Sequence, residues 1–480
     1  MSITFDSIPG SIRKPGRYSE YNSSLADQGL PANAKKMLIL GQKTTDGTGI
    51  SNIPVQVYSA ADAVTLAGAG SVLTLSVAAA LKANPNLELW ISPIPDAAGA
   101  KSVGTITFAG TASTTGSLEF WIGNVRAEAT VFSGDSASEV ATSVQAALAA
   151  IHHLTPMIAT VDTAVVTLTA RNFGTLGNNV AVAYKNNNIG TTTTTVVQPA
   201  SGATDPSIET ALDNVFAADY DVVLDTLNDS TNLGLFKTHM FDISSPTEDR
   251  PCTGYFGYTG VQATLETLAG TTLNYERMAV AYLKYTKTTE SGHSLDYEIG
   301  AAFAAVVARE EDPARPFNTL ALRGIAPCAL EDRLSRTQQE SLLNNGVTPL
   351  EVGPGESVQI VRAITTYTTD ATGTKSIAYL DLTTILSLDY GKKAIETREA
   401  QRFPRDKKTE RTKAKLKTEI YDVIRLLAQL EIWNLCDIDE ILVEDSLVSA
   451  GTVHTRIPAY VVAGMHVIAN RIDLLLSGGK

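Results

Sequence analysis

The chain has 480 residues, of which 44% are hydrophobic and 19% are charged, a composition typical of a folded protein and not of a disordered one. That length exceeds a single ordinary core, so we expect about three domains. No apolar run approaches the ~18 residues of a membrane-spanning helix, and the start lacks a signal peptide, so we expect synthesis in a cytoplasm. The net charge of -13 disfavours nonspecific binding to nucleic acid.

Both ends of the chain favour extended structure. The first segment, residues 3–20, is interrupted by two Pro-Gly pairs, which predicts an arm and not a helix. The last segment, residues 465–476, carries apolar side chains at the even positions 468, 472, 474 and 476, interrupted by Asn470, which predicts a terminal strand. Chain ends fray unless something ties them down, so we interpret both as strands given to a neighbour. The alternative is pairing within the same subunit.

A rhythm of strands and helices follows the arm. The predicted strands lie at 37–41, 87–91, 220–224 and 278–282, and the predicted helices at 71–83 and 297–309. Alternation of the two element types is typical of an α/β layer. We therefore predict an α/β core domain formed by residues 26–100 and 204–345.

The composition changes to Thr, Gly and Ser between residues 101 and 203. Short β-rich runs surround one predicted helix at 137–151, and the block ends in a threonine tract at 190–195. Exposed loop tips tolerate insertions, so we interpret 101–203 as an inserted, mainly β module that faces outward.

A C-terminal α+β domain is predicted over residues 346–480. It opens with two β-rich runs around a turn, which indicates a hairpin at 358–382. Residues 392–417 then hold eleven Lys or Arg against four acids, a local charge of +7. An amphipathic helix follows, with apolar residues spaced by three or four at Leu416, Ile420, Ile424, Leu427 and Leu430.

Catalytic and cofactor motifs are missing from the sequence. Gly41 and Gly47 do not have P-loop spacing, and there is no GxSxG or HExxH pattern. The three cysteines, at 252, 328 and 436, lie far apart, which favours buried reduced thiols over a disulfide or zinc site. The histidines have no metal-like spacing. We expect no enzyme activity, no cofactor and no metal, and an α/β hydrolase-like enzyme is the remote alternative.

Several motifs resemble a known family. Residues 15–20, Pro-Gly-Arg-Tyr-Ser-Glu, resemble the Pro-Gly-x-Tyr-x-Glu motif near the start of contractile tail sheath proteins, and residues 3–29 are similar to the branch found in Mu-like bacteriophages. Residues 346–350 with 358–366 are similar to the family's entry into its C-terminal domain. The order of the predicted domains also fits. One departure is Ile364, where many relatives carry an arginine.

The resemblance implies an α/β sheath core domain with an inserted β module, and a C-terminal α+β sheath domain with an N-terminal arm and a C-terminal strand. Subunits are expected to stack as hexameric rings around a tail tube and to contract, driving the tube through a bacterial envelope during genome injection. The energy is expected to be stored in the extended lattice. Expected partners are the same chain, the tube protein, the baseplate and the tail terminator, without nucleic acid or membrane insertion. The expected location is the virion, after assembly in the host cytoplasm; the alternative is a phage-derived injection device such as a tailocin.

The resemblance also assigns roles to residues. Intersubunit strand exchange is expected at Ile3, Phe5, Ile8, Pro15, Gly16, Tyr18, Val467, Ile468, Ile472, Leu474 and Leu476. A basic helix face that rests on an acidic tube is expected at Lys408, Arg411 and Lys415. The alternatives for the basic face are a solvated helix start or a nucleic-acid patch.

Overall fold

The computed structural model describes residues 13–19, 30–96, 98–286 and 292–474. The strands in chain order are β1 (Lys36–Gln42), β2 (Val55–Val57), β3 (Glu88–Ile94), β4 (Val103–Ala109), β5 (Gly116–Ile122), β6 (Val125–Val131), β7 (Met157–Asp162), β8 (Val165–Ala170), β9 (Val182–Asn187), β10 (Thr193–Ala200), β11 (Val222–Asp225), β12 (Thr253–Tyr258), β13 (Met278–Tyr282), β14 (Thr348–Gly353), β15 (Ser357–Ile360), β16 (Trp433–Asn434), β17 (Leu442–Asp445), β18 (Val453–Arg456) and β19 (Tyr460–Val461). The α-helices are α1 (Ala60–Ala67), α2 (Val72–Ala83), α3 (Ala137–Ala150), α4 (Glu209–Val215), α5 (Ser230–Ile243), α6 (Gln262–Thr267), α7 (Asp296–Arg309), α8 (Arg336–Asn344), α9 (Leu382–Arg402) and α10 (Glu410–Gln429).

The chain divides into two compact units. The larger unit comprises residues 34–389 and 461–480, and the smaller comprises residues 1–33 and 390–460. Mixed helices and sheets occur in both, so the fold is α+β. Each unit has its own set of buried side chains and is described separately.

An eight-stranded sheet forms the centre of the larger unit. Its order is β15-β14-β13-β12-β11-β1-β3-β2, and the pairs from β14 to β3 are parallel. The two edge pairs, β14 with β15 and β2 with β3, are antiparallel. Residues 37–40 are completely buried, because helices such as α2 and α7 cover the parallel sheet. A strand that is covered on both faces has a continuous apolar sequence, as β1 does. The predicted strands and helices of the α/β rhythm are therefore confirmed as β1, β3, β11, β13, α2 and α7.

One central strand, β12, was not predicted, and its glycines explain why. A Cβ on Gly254 would lie 2.7 Å from the ring of Phe236, and a Cβ on Gly257 would lie 2.0 Å from the carbonyl oxygen of Asp296. Helices α5 and α7 approach the strand at these two glycines. Glycine weakens the strand signal in the sequence, while the close packing of the helices requires it.

The threonine-rich segment forms two antiparallel sheets in the larger unit. One has the order β10-β4-β8-β7 and the other β6-β5-β9, with α3 packed nearby. Helix α3 begins with a capping box, in which Ser136 and Glu139 satisfy each other's backbone N–H groups. Threonines 193–195 lie inside β10 and pair with β4, so the threonine tract is part of a sheet. Threonine is β-branched and suits this position.

Residues 346–389 belong to the larger unit, so the second segment of the smaller unit begins at residue 390 and not at the predicted domain boundary at residue 346. The reason is that β14 pairs in parallel with β13 and extends the large sheet. The predicted hairpin also differs: residues 358–360 pair with β14, and only isolated bridges such as Thr369 with Lys375 join the two arms of the turn. The predicted second arm ends where α9 begins at Leu382.

The smaller unit is built on the later part of α9, α10 and short strands. The amphipathic pattern predicted for α10 is confirmed at Ile420, Ile424 and Leu427, which are buried, whereas Leu430 caps the helix and is exposed. The buried guanidinium of Arg398 lies 3.3 Å from the Glu419 carboxylate and connects α9 to α10. A Cβ on Gly391 would lie 2.1 Å from the Trp433 ring, so glycine allows the close contact between α9 and β16.

Candidate assembly surfaces

The C-terminal segment after β19 has no sheet partner in the described part of this chain. Residues 462–474 form no helix or strand, and residues 467–474 make no backbone hydrogen bond to another described residue. The predicted terminal strand at 465–476 is therefore absent from the described residues of this subunit, because no neighbouring edge pairs with it. Its apolar side chains are exposed: Val467 by 80%, Ile468 by 67%, Ile472 by 92% and Leu474 by 84%. Leu476 lies outside the described residues.

The side chain of His466, within this segment, contacts polar groups of the larger unit. The Asn318 side-chain amide lies 3.0 Å from Nδ1 of His466, and Nε2 of His466 lies 3.4 Å from the Asp381 carboxylate. Arg362 holds Asp381 with two hydrogen bonds of 2.8 and 2.9 Å. Burial lowers the pKa of His466 below its ordinary value of 6.5, Asp381 opposes the shift, and Arg362 adds to it. The sequence carried no signal for this contact, which joins residues far apart in the chain.

The N-terminal arm is described in part. Ile3, Phe5 and Ile8 lie outside the described residues. Pro15, Gly16 and Tyr18 are exposed and belong to no strand. The Tyr18 hydroxyl donates to the Lys14 carbonyl oxygen at 3.0 Å, a local contact that curls the chain around Gly16.

Strands β17 and β18 form a two-stranded antiparallel hairpin in the smaller unit. The register pairs Leu442 with Arg456 and Asp445 with Val453. Neither outer edge has a strand partner among the described residues. Unpaired edges present rows of N–H and C=O groups, to which an extended segment can add. The sequence analysis missed this hairpin, although β-branched residues on both sides of Gly451 are a signal that predicts one.

The basic residues do not form the single helix face that was predicted. Lys408 precedes α10, which begins at Glu410, and its ammonium group binds the Asp445 carboxylate at 3.1 Å and the carbonyl oxygens of Ala450 and Thr452. Because Thr409 caps the helix, the chain before it is extended and turns towards the hairpin. Arg411 and Lys415 do lie on α10, are exposed, and form no ion pair with the described residues.

A buried carboxylate connects the threonine-rich module with the rest of the larger unit. Asp296, at the start of α7, accepts from Asn179 at 2.7 Å, from Asn228 at 3.0 Å and from the Thr259 hydroxyl. Burial raises the pKa of Asp296 although these donors oppose the shift. Burial likewise raises the pKa of the neighbouring Glu298 to about 7. Such shifts occur at catalytic sites as well as in structural networks, and here the donors belong to three separate loops that the carboxylate joins.

Metal-binding groups and reactive cysteines were sought among the described residues. No group of three His, Cys, Asp or Glu side chains in the described ranges is arranged to hold a metal ion. The three cysteines are buried, and burial raises the pKa of each thiol, that of Cys252 to about 12. Thiols with raised pKa values are poor nucleophiles at neutral pH. Within the described part of the chain, every helix is too short or too polar to cross a bilayer.

Comparison with known proteins identifies the family. Over 417 residues the chain is 31% identical to the Mu-like prophage FluMu tail sheath protein of Haemophilus influenzae, covering 85% of this chain and 83% of that protein. The chain belongs to the phage tail sheath protein family. Residues 201–366 of this sheath protein match the family model described as the phage tail sheath protein central domain. The resemblance to Mu-like sheath proteins is confirmed, and the matched domain extends past residue 346, where the sequence analysis began a new domain.

Solved structures share the fold of this sheath protein. The sheath tail protein from Desulfitobacterium hafniense aligns with a TM-score of 0.52 at 14% identity, covering 94% of this chain and 97% of that one. A chain of the anti-feeding prophage baseplate in its contracted state aligns with a TM-score of 0.52 at 14% identity, covering 98% of this chain and 99% of that one. The relatives are structural tail sheath proteins, so this sheath protein is a structural protein and not an enzyme.

Proposed function

We propose that this sheath protein polymerises as stacked hexameric rings around a tail tube and contracts to drive the tube through a bacterial envelope. The observation that carries the proposal is that one chain has both an exposed, apolar C-terminal segment and a hairpin whose two outer edges have no strand partner among the described residues. The subunit is then a virion component, assembled in the host cytoplasm, whose further partners are the tube protein, baseplate and tail terminator.

The C-terminal segment is proposed to add to the β17–β18 hairpin of an adjacent subunit, and the arm around residues 3–18 to add to another edge. Burying Val467, Ile468, Ile472 and Leu474 stabilises the contact by about 1.5–3 kcal/mol for each fully covered side chain. Backbone hydrogen bonds hold the strand while the chain on either side bends. Rings joined in this way can slide and rotate without separating.

The driving force is proposed to lie in the lattice. A contact between two different surfaces that does not close on itself generates a helix, which suits a tube-shaped sheath. The extended lattice is then a kinetically trapped arrangement, and its interfaces repack when contraction is triggered. No nucleotide is required for this step.

Arg411 and Lys415 are proposed to face the tube. Both are exposed on α10, whereas Lys408 is engaged with Asp445 in its own subunit. Exposed charge pairs are weak, at roughly 0.2–1 kcal/mol, and salt screens them. Weak contacts suit a tube that must be released on contraction.

Removal of residues 467–480 tests strand exchange. We expect a folded subunit with unchanged circular dichroism that forms no tubes in negative-stain electron microscopy, and the same outcome when residues 1–20 are removed. Removal of residues 477–480 alone is the matched control and should leave tubes intact. Normal tubes from either long truncation would exclude the proposed exchange for that end.

Charge reversal tests the assignment of the tube-facing residues. The double variant Arg411→Glu with Lys415→Glu should bind the tube protein less well in cosedimentation, and the remaining binding should depend less on salt. Lys185→Glu changes an exposed lysine of the threonine-rich module and serves as the control. Equal cosedimentation of the double variant and the wild type would contradict this assignment.

A further inference from the structure

We infer that His466 is a positioning residue, which fixes the point where the C-terminal segment leaves the subunit and so sets how far that segment reaches. The inference rests on the proposed function, because it says where the strand that is donated to a neighbour is attached to its own subunit. It concerns an interaction within one subunit, so it can be tested before any assembly takes place.

The seat of His466 is formed by three different parts of the larger unit. Asn318 lies in the segment between α7 and α8, Arg362 lies two residues after the end of β15, and Asp381 directly precedes α9. The His466 side chain is 11% exposed. Nδ1 of His466 lies 3.0 Å from the side-chain nitrogen and 3.3 Å from the side-chain oxygen of Asn318, and Nε2 lies 3.4 Å from the Asp381 carboxylate.

The chain just before His466 is shaped to enter this seat. A Cβ on Gly464 would lie 2.6 Å from Pro316 Cγ and 2.8 Å from His466 Nε2. A larger residue at position 464 would therefore displace either the loop or the imidazole. Glycine at 464 and histidine at 466 together allow the backbone to pass close to Pro316 while the side chain bonds to Asn318.

The contrast on either side of His466 is sharp. Met465 is 76% exposed and Val467 is 80% exposed, so the imidazole is the seated group between two side chains in solvent. An apolar residue would suffice if the contact only filled space. The imidazole also fixes the direction of the side chain, because Nδ1 forms a hydrogen bond with Asn318 while Nε2 lies 3.4 Å from the Asp381 carboxylate.

Anchoring at His466 limits the reach of the strand. Fourteen residues, 467–480, follow it in the sequence. Loss of the anchor adds residues 462–466 to the unattached length, about 17 Å at ~3.3 Å per extended residue. A longer tether lowers the effective concentration of the strand at its acceptor, since effective concentration falls with tether length beyond the matching span.

Nitroxide labels on the isolated subunit test the anchor. A label at Met465→Cys reports the anchored end and a label at Ile472→Cys reports the exposed end, with the native cysteines buried. We expect His466→Ala to shorten the rotational correlation time at 465 by about threefold or more, on the nanosecond timescale of loop motion, and to leave that at 472 unchanged. Asn318→Ala, which removes a partner and leaves the histidine, should give the same change.

Assembly of the unlabelled variants tests the consequence. We expect His466→Ala to raise the protein concentration needed for tube formation by about 1.6-fold while still permitting tubes, because effective concentration falls as roughly the −3/2 power of tether length and the free segment grows from 14 to 19 residues. Thr319→Ala changes an exposed neighbour of Asn318 and is the control. If the rotational correlation time at 465 is unchanged in both His466→Ala and Asn318→Ala, His466 is not an anchor. If the label becomes mobile but the protein concentration needed for tube formation is unchanged, the anchor does not set the reach of the strand. If removal of residues 467–480 abolishes tubes, strand exchange is supported whichever of these two results is found. The anchor and strand exchange can therefore be rejected independently.

Discussion

Two attachments within the larger unit differ in kind: the threonine-rich module is joined through buried polar contacts from several loops, whereas the C-terminal segment forms its polar contacts at His466 and is exposed over residues 467–474. The module's contacts include Asn179 to Asp296 at 2.7 Å. The C-terminal segment contacts the rest of the unit through His466, and the next eight residues, 467–474, are exposed to solvent. The first attachment holds a module in place, and the second leaves a strand available for a partner.

The module's connection lies at the carboxyl end of the parallel sheet. The Asn172 side chain accepts from the backbone of Val72 at 3.2 Å, at the start of α2, and donates to the Lys43 carbonyl oxygen at 3.0 Å. Gln42, at the end of β1, donates to the Phe173 carbonyl oxygen at 2.9 Å. Open α/β sheets commonly bind ligands at this end, next to helix N-termini. In this protein the module's own loop occupies that position.

Replacement of Asp296 is expected to have the largest effect. Asp296→Ala removes the acceptor of the half-buried Asn179 and Asn228 amides and of the buried Thr259 hydroxyl, and each donor left unsatisfied away from water costs about 1–3 kcal/mol. We expect the free energy of unfolding in urea to fall by about 3 kcal/mol or more. Asp213→Ala, at an exposed position of α4, should change it by less than about 0.5 kcal/mol. Equal stability of the two variants would remove the distinction between the two attachments.

Acid should loosen the C-terminal attachment. Burial lowers the pKa of His466 when it is seated, so the unseated histidine binds a proton more readily than the seated one. Seating is therefore complete above the ordinary pKa of 6.5 and weakens as the pH falls through it. The label at 465 should become more mobile between about pH 8 and pH 5. In His466→Gln, which cannot titrate, mobility at 465 that still rises with acid would assign the change to another group.

The smallest change in stability is expected from Tyr297→Phe, where the threonine-rich module contacts α7. The Tyr297 hydroxyl is buried and has no hydrogen-bond partner among the described residues, next to a cavity lined by Val72, Asn172 and Leu176. Tyr297→Phe removes a buried polar atom without breaking a hydrogen bond, so the free energy of unfolding should stay the same or rise by up to about 1 kcal/mol. Thermal unfolding against the wild type measures the change. A clear loss of stability would mean that the hydroxyl has a partner in solution.

Local sequence patterns correctly predicted the strands and helices whose structure depends mainly on their own residues. The apolar run at 37–41 became β1, the alanine-rich run at 297–309 lies in α7, and the apolar residues spaced by three or four in α10 became its buried face. Each signal is a run or a periodicity that burial imposes directly on the sequence. The family also followed from short motifs and their order, as the identity to a Mu-like sheath protein confirms.

Other features depended on contacts between distant residues. Strand β12 carries glycines because α5 and α7 approach it, Lys408 turns away from α10 because Asp445 attracts it, and β14 joins the large sheet beside β13. None of these partners is close in sequence. The sequence by itself determined which segments are apolar, basic or β-competent, including the apolar C-terminal end, because composition and periodicity are local. Only the tertiary structure decided that the end has no sheet partner among the described residues and is seated at His466, because pairing depends on which edges and side chains the fold brings within reach.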